Sequence, residues 1–194
     1  MRIIAGKFKG NKLYTPADKK IRPLKDMVRE SIFNFLTHSK KILFRLEKSN
    51  VLDLYSGTGS FGLECISRKA GKIVFIERKK EAIKILEKNV EKLGVKDKTK
   101  VFFDDVFNII RKHDKTSFNW PPGIKFDLIF FDPPFKDTNI EDLIELIFKK
   151  DLLKKNGILI LHRRKNTDEK LTAYFKIIDK RIYGLSKIIF GKFL

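Results

Sequence analysis

The sequence has a single cysteine, Cys65, among 194 residues, which excludes an intramolecular disulfide framework. With no C-x-x-C pair, and with His38, His113 and His162 scattered along the chain, it offers no zinc spacing. Cys65 reads as a core residue. No apolar run approaches the ~20 residues that a bilayer-crossing helix needs, and the first residues contain no apolar signal core. A cytoplasmic protein with no membrane partner and no metal is the expectation. Internal repeats and low-complexity tracts are missing too. The length suits one ordinary domain with a full core plus a small appendage.

Acidic residues are the other shortage: 43 Lys/Arg stand against 24 Asp/Glu, a net charge of +19. Residues 1–50 carry 13 basic against 4 acidic side chains, residues 154–194 carry 11 against 3, and residues 51–153 carry 19 against 17. A lysine-rich surface accounts for the middle, where Lys and Glu alternate along 79–93. It does not account for the two ends. Basic flanks around a near-neutral centre suit a phosphate-backbone partner, and charge alone does not say whether that is DNA or RNA.

What is present centres on Asn50 to Gly62. Val51, Leu52 and Leu54 form a short apolar run that reads as a buried strand, followed by a glycine turn into a helix carrying Phe61, Leu63, Cys65 and Ile66. Gly57, Gly59 and Gly62 spell G-x-G-x-x-G, and one reading of that motif is a pyrophosphate on the helix N-terminus. Asp53 argues against it. A carboxylate there repels a pyrophosphate but attracts a ligand with a cationic head, and S-adenosylmethionine has one in its ammonium and sulfonium groups.

Around this stretch the chain falls into alternating elements. Residues 2–17 read as two short strands about a Lys9-Gly10-Asn11 turn, a basic hairpin that must dock to be stable. Asp26 is placed to cap a helix with Val28, Ile32, Phe35 and Leu36 on its apolar face, ending before a basic linker over 39–48. Strands are expected at 50–55, 72–77, 99–103, 126–131 and 157–162, with helices near 60–69, 79–93, 106–113 and 139–150. That alternation is the signature of an α/β fold with a parallel sheet. Residues 114–125 form the longest irregular connection. Beyond 162 the pattern changes to an antiparallel pair, 175–182 and 185–190, joined across Tyr183-Gly184.

Acidic residues recur where these strands should end. Asp53 closes the first, Glu77 the second, where it can accept from ribose hydroxyls, and Asp105 the third, where it can accept from an adenine amino group with Val106 against the ring. Three such positions in succession point to a cofactor site. After Phe126 to Phe131 comes Asp132-Pro133-Pro134-Phe135. Asp-Pro-Pro is at minimum a stiff strand stop, because proline lacks the ladder donor. In a doubly wound order 3-2-1-4-5, strands 1 and 4 are neighbours, so Asp53 and Asp132 open into one crevice. Arg22, Lys25 and Arg29 lie around the first helix start, where ordinary surface charge and a substrate or cofactor clamp both fit.

Asp53, the glycine turn, Glu77, Asp105 and Asp-Pro-Pro-Phe together resemble the class I S-adenosylmethionine-dependent methyltransferases that modify exocyclic amino groups of bases. Arg2-Ile3-Ile4-Ala5-Gly6, Arg22-Pro23, Asp26, Val28-Arg29-Glu30, Phe33-Asn34 and Leu52-Asp53-Leu54-Tyr55-Ser56-Gly57-Thr58-Gly59 narrow this. They are similar to the bacterial RsmD family of 16S ribosomal RNA (guanine-N2) methyltransferases, over nearly the whole chain. The departures are Ile21, Leu24 and Met27 within a segment where the family pattern runs Thr-Arg-Pro-Thr-x-Asp-Arg, and a C-terminal part that matches mainly in its Tyr183-Gly184 turn.

The resemblance implies a Rossmann-like methyltransferase domain over 49–194 and an RNA-binding extension over 1–48. Catalysis is expected from Asp132, Pro133, Pro134 and Phe135. S-adenosyl-L-methionine is expected on Asp53, Tyr55, Ser56, Gly57, Thr58, Gly59, Glu77, Arg78, Asp105 and Val106. RNA contacts are expected from Arg2, Lys7, Lys9, Arg22, Lys25 and Arg29. The implied partner is 16S ribosomal RNA within a partly assembled small subunit, met by a monomer. Rival readings are an adenine-N6 methyltransferase on DNA or RNA, a non-catalytic RNA-binding assembly factor and, weakest, an NAD-linked oxidoreductase.

Overall fold

Near-continuous apolar runs in the parallel strands call for a sheet covered on both faces, and the computed structural model of the chain has that form. It describes residues 1–16, 24–112, 123–169 and 171–194; most of the connection over 114–125, with Arg22 and His113, lies outside them. The strands are β1 (Asn50–Leu54), β2 (Lys72–Glu77), β3 (Thr99–Phe103), β4 (Phe126–Phe131), β5 (Leu153–Arg164), β6 (Phe175–Tyr183) and β7 (Ser186–Phe193). The helices are α1 (Asp26–His38), α2 (Ser60–Ser67), α3 (Lys80–Lys92), α4 (Val106–Arg111) and α5 (Ile140–Lys149). The seven strands order as β3-β2-β1-β4-β5-β7-β6, parallel through β5 and antiparallel from β5 to β7 and β6. The expected order 3-2-1-4-5 and the closing antiparallel pair are both present.

Successive strand residues face opposite layers. Val51, Ile73, Phe75, Leu128, Phe130, Ile158 and Ile160 pack under α1, α2 and α3, while Leu52, Val74, Ile76, Ile129, Phe131, Leu159 and Leu161 pack under α4 and α5. Ile3 and Leu13 of the first residues and Val28, Ile32 and Phe35 of α1 join the former layer. Cys65 is buried there. Gly62 has to be glycine for packing: a Cβ on it would lie 2.3 Å from the Phe75 ring, so α2 sits against β2 with no room for a side chain. Among the described residues no helix is long and apolar enough to cross a membrane.

Three local expectations are corrected. The first 13 residues form no pair of strands but a single antiparallel bridge, Arg2 to Lys12. Ile3 and Leu13 N–H still donate across the arm to Asn11 O and Met1 O, both at 3.0 Å, but Ile4 and Ala5 donate instead to the Glu64 carboxylate of α2 at 2.7 and 3.0 Å. Asp26 is not the cap of α1 but its first residue, and its carboxylate accepts from Arg29 Nη2 at 2.9 Å. β5 begins at Leu153 rather than 157, because an irregularity between the Phe126–Leu153 and Leu128–Ile158 pairs lets it run on.

Candidate functional site

The C-terminal ends of the parallel strands meet in one crevice, where chain direction places every β-to-α turn. After β1, Tyr55 takes a left-handed conformation (φ 56°) and Gly57 another (φ 55°), which bends the chain sharply into α2. Ser56 N–H donates to Ile76 O at 3.0 Å and Gly59 N–H to Ser56 O at 2.8 Å, fixing the turn. The space over Gly57 is open. Thr58 O accepts from the buried Asn89 Nδ2 at 3.1 Å.

Asp53, 1% exposed, accepts from Gly62 N–H at 3.0 Å and so ties the strand to the start of α2. Burial pushes its carboxyl well above the ordinary carboxylate range, the Gly62 amide opposes this, and the charges of Asp132 and Glu77 add to it. Glu77 accepts from the amides of Arg78 and Lys79 on one oxygen, both at 2.9 Å, and from Gly57 at 2.8 Å on the other. A carboxylate has about four lone-pair sites, so one remains, on the oxygen facing Gly57. Asp105 caps α4 through Phe107 N–H at 2.9 Å and meets Arg78 Nη1 at 3.2 Å with its second oxygen. Val106 is buried behind it.

Tyr55, Arg78 and Asp105 line an open cavity of about 340 Å³ together with Asp137, Asn139 and Asp142, which the sequence reading did not single out. The Tyr55 hydroxyl donates to Asp137 at 3.3 Å, and burial with the Asp137 charge pushes the phenol up.

On the other side of the crevice, β1 and β4 pair in parallel with Asp53 opposite Phe130, and Asp132 N–H reaches Leu54 O at 3.4 Å. Asp132 therefore lies two residues beyond the register partner of Asp53, on the adjacent chain segment, close enough for its charge to act on Asp53. Asp132 Oδ1 meets His162 Nδ1 at 2.8 Å, and His162 Nε2 meets Ser186 Oγ at 2.9 Å. Phe135, 38% exposed, stands edge-on to the His162 ring at 5.5 Å. Arg163, 4% exposed, donates to Pro134 O at 3.1 Å, Phe135 O at 3.3 Å and Asp137 O at 2.9 Å, and pairs with Glu169 at 3.1 Å. A search for acidic strand ends does not reach His162 and Arg163. The available signal was a polar pair closing the apolar run Ile158 to Leu161.

The basic residues divide. Arg2 and Lys25 are exposed near the start of α1, and Arg29 reaches from there to Ser60 O, at the crevice end of α2. Lys7 and Lys9 are exposed at the far end of that helix, where Lys7 N–H donates to Ser67 O at 2.8 Å. Arg29 is a correction: at 0% exposed it is out of reach of a phosphate, and its guanidinium is engaged with Asp26, Arg2 O and Ser60 O. Among the described residues no group of His, Cys, Asp and Glu is arranged to hold a metal ion.

Comparison with known proteins supplies context for this geometry. The family described as conserved hypothetical protein 95 matches residues 1–192. A ribosomal RNA small subunit methyltransferase D of Buchnera aphidicola subsp. Baizongia pistaciae is 30% identical, over 100% of this chain and 91% of that protein. Among solved structures, a putative methyltransferase yhhF from Escherichia coli superposes with a TM-score of 0.81 at 23% identity, covering 98% of this chain and 96% of that one. The putative methylase HI0767 from Haemophilus influenzae gives 0.74 at 27% identity, covering 100% and 98%.

Proposed function

The chain belongs to the conserved hypothetical protein 95 family, the RsmD methyltransferases, and from that premise we propose that it methylates the exocyclic N2 amino group of a guanine in 16S ribosomal RNA. S-adenosylmethionine is the methyl donor. The RNA substrate is suggested by the printed name of the Buchnera relative. Asp132 beside Asp53 is the observation that carries the reading, since it sets a hydrogen-bond acceptor against an acidic ligand crevice.

The residues present fit the donor. Asp53 and the open turn at Gly57 suit an amino-acid end that carries positive charge, the remaining lone pair of Glu77 suits a ribose hydroxyl, and Asp105 with Val106 suits an adenine edge and face. When bound, the donor supplies an electrophilic methyl group on a sulfonium. Everything else falls to the protein. A guanine amino nitrogen is a weak nucleophile, its lone pair delocalised into the ring, and within a stacked loop it is out of reach, so the base has to be extruded. Phe135 stacks on the extruded base. Asp132 and the Pro133 carbonyl accept the two N–H groups, which turns the nitrogen lone pair toward the methyl group. Asp132 then stabilises the positive charge that develops on nitrogen and takes the released proton.

Nucleoside mass spectrometry of ribosomal RNA from cells with and without the protein is the direct test. Loss of N2-methylguanine from the small-subunit RNA is expected. Loss of N6-methyladenine instead would replace the substrate, and no change in any nucleoside would overturn the reading. Asp132→Ala should abolish transfer while leaving donor affinity, by calorimetry, within a few-fold; wild-type turnover in that variant would remove Asp132 from the mechanism.

A further inference from the structure

The Asp-Pro-Pro-Phe loop offers more acceptors than an amino group has hydrogens. Asp132 has two carboxylate oxygens, and Pro133, Pro134, Phe135 and Asp137 each add a carbonyl. Only acceptors that face the crevice can take an amino hydrogen, so methyl transfer needs this loop held in one orientation. Occupancy in this structure is selective. His162 Nδ1 takes Asp132 Oδ1, and Arg163 takes the carbonyls of Pro134, Phe135 and Asp137, the first of which also accepts from Asp137 N–H at 2.8 Å. Asp132 Oδ2 and the Pro133 carbonyl have no partner among the described residues.

The two occupying residues are consecutive on β5, so their side chains leave the strand on opposite faces. His162 follows Ile158 and Ile160 on the layer packed under α1. Arg163 follows Leu159 and Leu161 on the layer packed under α5. The loop is thus held from both sides of the sheet. Each holder is itself held. Arg163 pairs with the buried Glu169, which also binds Lys187 Nζ at 2.6 Å and the Thr167 hydroxyl. A carboxylate oxygen only accepts, so His162 Nδ1 donates to Asp132, while Nε2 lies within hydrogen-bond distance of the Ser186 hydroxyl.

We propose that His162 and Arg163 are positioning residues for methyl transfer: His162 occupies Asp132 Oδ1, Arg163 fixes the backbone of the Asp132–Asp137 loop, and together they leave Asp132 Oδ2 and the Pro133 carbonyl as the pair presented to a primary amino group. This rests on the reading of the site as an amino-group methyltransferase. It adds that the orientation of the acceptor is set from β5, with Ser186 setting the imidazole.

The test combines kinetics with an activity-independent measurement. Histidine ¹⁵N chemical shifts of the ligand-free protein should show a hydrogen on His162 Nδ1, with Ser186→Ala moving the Nε2 resonance. With labelled donor and 16S ribosomal RNA from cells lacking the protein, His162→Leu should lower kcat about 100-fold, the scale of a small misplacement of a reacting group, with KM for RNA and donor affinity within about threefold. His162→Asn, whose amide N–H stands in for Nδ1–H, should recover most of that loss, and His162→Gln should not. Arg163→Lys should recover only part of what Arg163→Met loses, because a single ammonium cannot span three carbonyls. Should His162→Leu fail to fold, the Asn and Gln variants carry the comparison. A His162 protonated on Nε2 with Nδ1 bare, or wild-type kcat in His162→Gln, overturns the proposal. A wild-type protein that methylates no base defeats the functional reading instead, and the hydrogen on Nδ1 still decides the arrangement.

Discussion

Asp53 sits where a negative charge is most useful to a cationic ligand and least tolerable without one. Its carboxyl is buried, with Asp132 and Glu77 nearby and one amide, Gly62, in its favour. Because its folded pKa is raised above the ordinary value of 3.8, the folded protein binds more protons than the unfolded chain between the two values. The stability this confers is complete below about pH 4 and is lost as pH rises through the raised value. A bound sulfonium and ammonium reverse the balance by favouring the ionised form. Calorimetry of donor binding in buffers of different ionisation enthalpy should therefore show proton release. Asp53→Asn should abolish that release, weaken donor binding, and raise the ligand-free melting temperature at neutral pH. A ligand-free wild type whose melting temperature is flat from pH 4 to 8 would refute the linkage.

At the scale of elements, the N-terminal arm is held by a carboxylate 60 residues away in sequence. Glu64, fully buried on α2, accepts from Ile4 and Ala5 amides and from Arg68 Nε at 2.8 Å, while Ser67 Oγ accepts from Phe8 N–H at 3.0 Å. Glu64→Leu leaves two amides and a partly buried arginine unpaired and should destabilise by about 3 kcal/mol. Amide exchange at Ile4 and Ala5 should lose its protection, and unchanged exchange there would show that the arm is held by its apolar residues alone. This clip also explains what the sequence did not disclose. Strand positions, their order and the acids at their ends were legible, because alternation, glycine turns and Asp-Pro-Pro are local signals. Amides 4 and 5 look free to form a ladder until Glu64 is placed beneath them. His162 and Arg163 become meaningful only once β5 lies beside β4 with β7 on its other edge, and Arg29 looked like surface charge until the arm covered it.

For the molecule as a whole, the proposed RNA substrate raises the question of how a chain of net charge +19 would meet it. Arg2 and Lys25 lie toward the crevice end of α2, and Lys7 and Lys9 at its other end, about 12 Å away for eight residues at 1.5 Å each. That separation spans two phosphates or more, so both pairs can engage one strand whose target base enters the crevice. Binding of a single-stranded ribosomal RNA fragment should fall steeply with salt. The double variant Lys7→Ala and Lys9→Ala should flatten the plot of log affinity against log salt by about 1.4, two phosphate contacts at roughly 0.7 each for single strands, and Arg2→Ala with Lys25→Ala by a similar amount. Removing both pairs should add the two changes, since sites this far apart share no partner. A slope that responds to Arg2 and Lys25 but not to Lys7 and Lys9 would confine the RNA to the crevice end and leave the outer lysines as solvated charge.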